Sequence, residues 1–498
     1  MQSVKTTHAS THHTLLPRLS PLRRRYAKEK RIPYSYWLAD SWWYYRGNTS
    51  GGGVTNWTAR PDIFPDGFEY LTRTLGWPVQ GHNRFWDRQT VYAKQNGGRY
   101  DFLFDMRSGY ALPTSQVFWD DLMRNATRWG LRIYEQDWLD DEFDHFSPLT
   151  QSATLGTQWL AQMAEGASKS GLTIQYCMSY PRHILASVGL KSVTQARASG
   201  DYHPGANKQW SQLGTTSLFA YALGIAPSKD NYWSTADQPG SWKHYKDHPR
   251  EPYSRLQAAV VTLTKGPVAP SDAVNHSDVG LIMKSCASDG TLLQPSVPAM
   301  KLDDFLMKDA LEGNDEGMKT SGEVWSAKST IGSMTFTVLF SAKLKAQYEM
   351  RASSFGPAAG NGYVAIEANA SSTSSSSLSF TRFGGKGSGV GPSRTASSLT
   401  LQPTVDVYNF EVWNVSPIAS NGWALLGEVS KWVMVSPSRV VAVTEIMKGG
   451  LSVTVKGEGG EAVEMAFAAP GATKAQVVKC VIDASGLVTM SVPEGSCA

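Results

Sequence analysis

The sequence predicts a (β/α)8 barrel followed by an antiparallel β-sandwich domain. Three observations predict it: a recurring helix–glycine–strand unit, eight apolar strand-like runs within roughly 240 residues, and a change of hydrophobic period near Ser329. In the first unit, Phe118, Leu122, Ala126 and Trp129 recur at helical spacing behind a capping Thr114 or Ser115. Gly130 then stops the helix and Leu131 to Asp137 follows as a strand. Forty-one residues on, Leu155, Trp159, Leu160, Met163 and Ala167 repeat the pattern, ended by Gly171 and followed by a strand from Leu172. A helix, a glycine and a strand repeated at this interval make a βα unit.

Extended in both directions, the reading places strands at 33–40, 78–84, 99–105, 131–137, 172–178, 192–197, 222–226 and 265–269. Eight strands with helices between most of them fit a closed barrel, although an open doubly wound sheet shares the pattern. Beyond Ser329, the segments 334–338, 451–455 and 480–492 alternate apolar with polar residues between Gly, Pro and Ser turns, as antiparallel strands do. The expected organisation is a basic, disordered tail at 1–30, a catalytic barrel at 31–310 and a β-sandwich domain at 311–498, with a mobile Ser/Gly-rich loop at 370–399.

Composition bounds the function. The 498 residues are 41% hydrophobic, enough to bury two cores, and no run of eighteen apolar residues predicts a membrane span. The chain carries a formal +4, but residues 1–31 hold a net +7 and leave −3 for the remainder. The basic character is that of a tail, so nothing in the folded body predicts nucleic-acid binding. The tail reads as an organelle transit peptide, a disordered extension or the remnant of a larger N-terminal region, and it lacks the apolar core of a secretory signal. Four cysteines make no disulfide framework; Cys480 and Cys497 flank a final hairpin and could pair in an oxidising compartment, the alternative being four free thiols. Asn-X-Ser/Thr sequons stand at Asn48, Asn56, Asn125, Asn275, Asn369 and Asn414, and the compartment stays open between cytoplasm, organelle and secretion.

In a parallel barrel the pocket lies at the C-terminal ends of the strands. Asp40, Asp105, Asp137 and Arg197 all fall at such ends, and Asp201 lies just beyond the last. Acids converging on one mouth need compensating charge, hydrogen bonds or a polyhydroxyl ligand. The segment Asp137, Asp140, Asp141, Glu142, Asp144, His145 matches no calcium loop and reads as a solvated acidic loop, so no metal or other cofactor is expected. Seventeen tryptophans, with Trp37, Trp42, Trp43, Tyr44 and Tyr45 around the first strand end, offer the flat apolar faces a sugar ring needs, though half or more of them belong to packing. Trp42 and Trp43 alternate, so at most one of the two faces the mouth. Gly51–Gly53 reads as a flexible loop beside it, and His82, His183, His203 and His276 as polar loop or core residues. Serine-nucleophile, phosphate-loop, zinc-protease and Cys-X-X-Cys motifs are absent.

The segments Cys177-Met178-Ser179, Thr194 through Arg197-Ala198-Ser199-Gly200-Asp201 to Pro204, Gly266 to Asp272 and Asp289 to Leu293 occur in an order and spacing that resemble the raffinose synthase and alkaline α-galactosidase family (glycoside hydrolase family 36) over about residues 30–300. The resemblance implies a retaining enzyme acting on α-linked sugars, with an oligosaccharide or glycoside as its partner. It implies Asp137 as nucleophile, Asp201 as acid/base, Arg197 at the sugar near its second hydroxyl, Asp40 with Trp42 or Trp43 as a sugar platform, and Cys177, Asp105 and Glu135 around the substrate. Two departures are plain: Glu135 stands where the family carries a lysine, and no N-terminal β-sandwich precedes residue 30. A non-catalytic sugar-binding protein on the same fold is the alternative from another class.

Overall fold

A computed structural model describes residues 3–5, 16–205, 208–312, 322–356, 361–368, 378–385, 396–404, 409–446 and 449–498. By internal contacts the chain forms two compact units that alternate along the sequence. The first comprises 1–202, 219–233 and 266–277, and the second 203–218, 234–265 and 278–498. The segments between 203 and 310 are thus shared between the units, where the sequence predicted one barrel running to 310.

The architecture is a (β/α) barrel with C-terminal antiparallel sheets. Parallel strands β1 (Ser3–Lys5), β2 (Tyr36–Ala39), β3 (Val79–Asn83), β4 (Leu131–Gln136), β5 (Thr173–Tyr176), β6 (Val193–Arg197) and β7 (Ala226–Ser228) pair in chain order. An eighth parallel segment joins through a single bridge between Tyr232 and Pro270. Helices precede the strands where the apolar spacing placed them. Gln116–Arg128 buries Phe118, Trp119, Leu122, Met123 and Ala126, and Leu155–Lys169 buries Trp159, Leu160, Met163 and Ala167. Gly130 (φ 93°) and Gly171 (φ 66°) then take the left-handed conformation that turns each helix into β4 and β5.

Three expectations are corrected. The strand expected at 99–105 is not in the parallel sheet: Phe102–Phe104 pairs antiparallel with Tyr110–Pro113 in a separate five-stranded sheet. Its apolar run, Phe102, Leu103 and Phe104, is too short to tell a barrel strand from a hairpin strand. Ser3–Lys5 takes the vacant place in the count, and Leu16–Glu29, within the segment expected to be disordered, is a helix. Tyr26 and Ala27 are buried there and Arg24 donates to the Thr74 carbonyl; residues 6–15 lie outside the described residues. Finally, Cys480 and Cys497 form a disulfide, while Cys177 and Cys286 are buried free thiols.

The second unit holds a six-stranded antiparallel sheet, from Val297–Lys301 through Glu323–Ile331, Met334–Ala342, Phe410–Pro417 and Tyr363–Glu367 to Thr381–Phe383. Smaller sheets of three strands (Ala424–Gly427, Ala462–Ala468, Gln476–Val481) and four strands (Val440–Glu445, Leu451–Lys456, Leu487–Val492, Ser496–Cys497) follow. Their alternating apolar residues, among them Val453, Val455, Met465, Val478, Val488 and Met490, meet in one core, as a period of two requires. Parts of the 370–399 loop are ordered: Thr381–Phe383 pairs with Tyr363–Ala365, and Ser398–Leu401 with Tyr348–Arg351. The sequon at Asn369 lies outside the described residues, and Asn414 is buried, out of reach of any glycan.

The core of the barrel unit is aromatic. Trp43 has no exposed surface and packs against Tyr44, Trp57, Phe68 and Trp129 with ring centroids 4.7–5.7 Å apart. It belongs to the core and not to a sugar platform, as its alternation with Trp42 allowed. Trp43→Ala is expected to cost about 3–5 kcal/mol, the range for an indole removed from a packed core, read as a lowered urea midpoint. A second prediction concerns Asp105, whose Oδ2 accepts from Ser147 N and Oγ at 2.9 and 2.6 Å and whose Oδ1 accepts from Arg107 N at 2.9 Å. Burial works against the charged form, but the Ser147 hydroxyl and the Ser147, Arg107 and Ser108 amides outweigh it and hold the carboxyl down to about 2. A value depressed on folding stabilises above the unfolded carboxylate range, near 3.9, and that contribution is lost as pH falls through about 2. Asp105→Asn is therefore expected to lower Tm at pH 7 and to converge on the wild type near pH 2; a gap constant with pH would contradict this account.

Candidate active site

The pairing register decides which side chains meet. Leu38 opposite Gln80 sets Asp40 beside His82 two residues on, and Gln175 opposite Glu135 sets Cys177 beside Asp137. Gln195 opposite both Gln175 and Ala226 carries the same face on to Arg197, Ser228 and Asp230. Two polar layers result at the C-terminal ends of the strands. In the deeper one Gln80 Nε2 donates to Glu135 Oε2 and Gln175 Oε1, both at 2.8 Å. Glu135, two residues before Asp137 on the same strand, shares its face but is buried one layer below.

The upper layer gathers Asp137, His82 and Arg197. Asp137 continues the ladder through its amide, which donates to the Asn83 carbonyl at 2.8 Å. His82 Nε2 lies 2.9 Å from Asp137 Oδ2, and the Trp138 amide donates to Oδ1 at 2.8 Å. His82 Nδ1 is 2.9 Å from the Tyr44 hydroxyl, which accepts from Arg84 Nε at 3.1 Å. One neutral tautomer satisfies the whole chain: Arg84 donates to Tyr44, Tyr44 to His82 Nδ1, and His82 Nε2–H to Asp137. Burial pushes the Tyr44 phenol up, so its proton stays available for that bond. Burial alone would raise the Asp137 carboxyl too. The His82 hydrogen bond, the Arg197 charge and the Trp138 amide together hold it well below the usual carboxylate range.

Arg197 is the cation of the site. Its side chain is only 4% exposed, it is ion-paired with Asp201, which is 57% exposed, and its Nη1 stands 3.6 Å from Asp230 Oδ1. Nη2 also meets Met178 Sδ at 3.5 Å. Burial disfavours the charge, yet Cys177, Asp230, Asp201 and Asp137 more than compensate and hold its pKa well above the ordinary value. Its Nε is buried with no hydrogen-bond partner, an orphan donor a ligand hydroxyl would satisfy. Asp40 Oδ1 lies 3.9 Å from His82 Nε2 and accepts from the Ser41 amide at 2.6 Å. Half-buried Trp42 stacks on Phe64 with centroids 5.4 Å apart.

Other sequence readings find different places. Asp105, on the antiparallel sheet, is occupied by Ser147 and its own turn. The acidic segment after Asp137 is a helix, Leu139–His145, in which Asp141 accepts from the Tyr110 hydroxyl at 2.5 Å and Asp144 from the Tyr180 hydroxyl at 2.6 Å. Glu142 is buried there without a hydrogen-bond partner, and burial raises its carboxyl well above the usual range, which suits a neutral core acid and not a calcium ligand. Gly51–Gly53 is packed: a Cβ on Gly53 would come within 2.7 Å of Phe85 and 2.9 Å of the Asp87 amide. The Gly51 carbonyl accepts from Arg84, whose guanidinium lies 4.6 Å from the Trp138 ring. His82, Tyr44, Arg84 and Asp230 are the residues the sequence reading missed. The strand-end rule that found Asp40 and Asp137 also covers His82, at the end of β3, and would have found Asp230 had β7 been placed at 226–228.

No family model matches the chain, and no curated protein matches it. Solved structures do. An α-galactosidase from Lactobacillus brevis superposes with a TM-score of 0.50 at 11% identity, covering 84% of this chain and 55% of that one. A putative α-N-acetylgalactosaminidase from Bacillus halodurans gives 0.47 at 11% identity over 84% and 96% of the two chains. An α-galactosidase from Thermus thermophilus, solved with stachyose, gives 0.36 at 16% identity over 55% and 62%. This chain thus spans 55% of the Lactobacillus brevis enzyme and 62% of the Thermus thermophilus one, and the former likeness gives it the barrel-plus-β architecture of that structure.

Proposed function

We propose that the chain is a retaining α-glycosidase of the α-galactosidase kind, with Asp137 as nucleophile and Asp201 as acid/base. The observation that carries this reading is the state of Asp137: a buried carboxylate at a parallel strand end, kept ionised by His82 and Arg197 and oriented through both oxygens. A nucleophile needs that charge and that fixed direction. An Asp137 oxygen attacks the anomeric carbon while Asp201 gives its proton to the departing glycosidic oxygen. Asp201 then takes a proton from water, whose oxygen displaces Asp137 and restores the carboxylate. Its exposure suits a group that must meet a leaving group and then solvent. Arg197 offers its orphan Nε–H to a sugar hydroxyl, and Asp40 and Trp42 stand just past the end of β2, beside His82 on β3, for the rest of the ring.

Glu135 takes no direct part, since it lies beneath the nucleophile bonded to Gln80. Cys177, beside both Asp137 and Arg197, fills the floor of the site. Transfer to a sugar hydroxyl, as in raffinose synthesis, uses the same intermediate and the same two carboxyls.

The test is turnover of aryl α-galactosides, α-glucosides and α-N-acetylgalactosaminides by the purified chain. One α-glycoside is expected to react, Asp201→Asn to slow it by about 10²–10⁴-fold, and Asp137→Asn to abolish it. A 2-deoxy-2-fluoroglycosyl fluoride of the same sugar should leave a covalent adduct on Asp137. Sugar binding without turnover or adduct would overturn the reading in favour of a non-catalytic binding protein.

A further inference from the structure

The segment that carries Asp201 is short, and three hydrogen bonds tie it to the end of β7. The Ala198 amide donates to the Ser228 carbonyl at 2.8 Å, the Asp230 amide to Ser199 Oγ at 3.0 Å, and the Tyr202 amide to Asp230 Oδ2 at 2.7 Å. Asp201 lies between the last two ties, and its own carboxyl meets Arg197, which Asp230 faces from the other side through Oδ1. Asp230 therefore addresses both ends of the segment: the guanidinium of Arg197 at its start and the amide of Tyr202 at its finish. It is 6% exposed and further held by Asn231, whose amide nitrogen, turned toward it, donates to Oδ1 at 3.1 Å while its oxygen accepts from Ser271 Oγ at 2.6 Å.

We propose that Asp230 is a positioning residue for the acid/base: by binding the Tyr202 amide and facing Arg197 it fixes the 198–202 segment, so that Asp201 meets the glycosidic oxygen from a constant direction. The proposal rests on the glycosidase reading given above. The Asp201 side chain is exposed between buried Ser199 and Tyr202, so it is aimed by the anchors of its segment, and misplacement by about 1 Å costs on the order of 10²-fold. Asp201 also changes partners during turnover, from Arg197 to the glycosidic oxygen and then to water. Asp230, buried and opposite, keeps an anion beside the guanidinium throughout, so Arg197 need not follow Asp201 outward. No covalent step is added; Asp230 acts through Tyr202 and Arg197 alone.

The experiment compares Asp230→Ala and Asp230→Asn with wild type and Asp201→Ala in the full chain. In Asp230→Ala the 198–202 segment is expected to exchange its amide hydrogens at least about tenfold faster, the size of one lost charge-assisted hydrogen bond. In Asp230→Asn, whose side-chain oxygen can still accept from Tyr202, exchange should change less. In kinetics, Asp230→Ala should behave as a partial Asp201→Ala: a large loss on glycosides with poor leaving groups, a small one on dinitrophenyl glycosides that need no proton, and recovery with azide. A merely structural role would lower all substrates alike and gain nothing from azide, and that result, or unchanged exchange, overturns the proposal. Should wild type turn over no glycoside, the glycosidase reading fails by that fact, and the exchange arm still decides whether Asp230 holds the segment.

Discussion

The site is organised around the buried positive charge of one arginine. Arg197 sits among Asp137, Asp201, Asp230 and the Cys177 thiol with almost no exposed surface. A guanidinium taken from water is tolerated only when its surroundings return the lost hydration as charge and hydrogen bonds. Those surroundings are the strand ends of β4, β5 and β6 and the residues just past β7, so the cation ties together four consecutive strands. It lets Asp137 remain ionised despite burial, and it gives the exposed Asp201 carboxyl an ion-pair partner.

A second device, a directed series of hydrogen bonds, meets the same carboxylate from the other side. The Arg84–Tyr44–His82–Asp137 series runs from the segment after β3 to the end of β4, and each link has one donor and one acceptor. Because the hydrogen bonds all point one way, the series fixes the imidazole tautomer without requiring a charge on it. Asp137 is thus aimed by hydrogen bonds from its His82 side and kept ionised partly by the Arg197 charge. The deeper Gln80–Glu135–Gln175 layer supports this arrangement from below, and it explains how a glutamate comes to stand at a position where the resembled family has lysine: here that residue belongs to the floor.

Much of this was legible in the sequence. Periodicity located five of the parallel strands and the two long helices, because an apolar face at a period of 3.6 ended by a glycine has few other solutions. The strand-end rule brought Asp40, Asp137 and Arg197 to one place. It misled at Asp105, since three apolar residues before an acid read alike in a barrel and in a hairpin. For the two tryptophans alternation left the choice open, and the density of rings around Trp43 decided which turns inward. The strand-end rule reaches the positions of His82 and Asp230, but what they do there was not legible. Their roles depend on partners 55 and 33 residues away in sequence, Asp137 and Arg197, and register, not composition, sets those distances.

Two residues carry backbone strain at the rim of the site. Trp138 (φ 58°) and Met178 (φ 45°) are both left-handed without being glycine, and each follows directly on a site residue, Asp137 and Cys177. Such a conformation costs roughly 1–2 kcal/mol for an L-residue, and it is held here by what the turn makes possible. The Trp138 amide reaches back to Asp137, and the Met178 carbonyl accepts from the Asp140 amide at 2.9 Å. For anyone adapting this scaffold, glycine at either place is the tempting substitution, since it would relax the backbone. It would also take away the indole beneath Arg84 or the thioether against Arg197, so the chain loses more in packing than it gains in ease and the rim loosens.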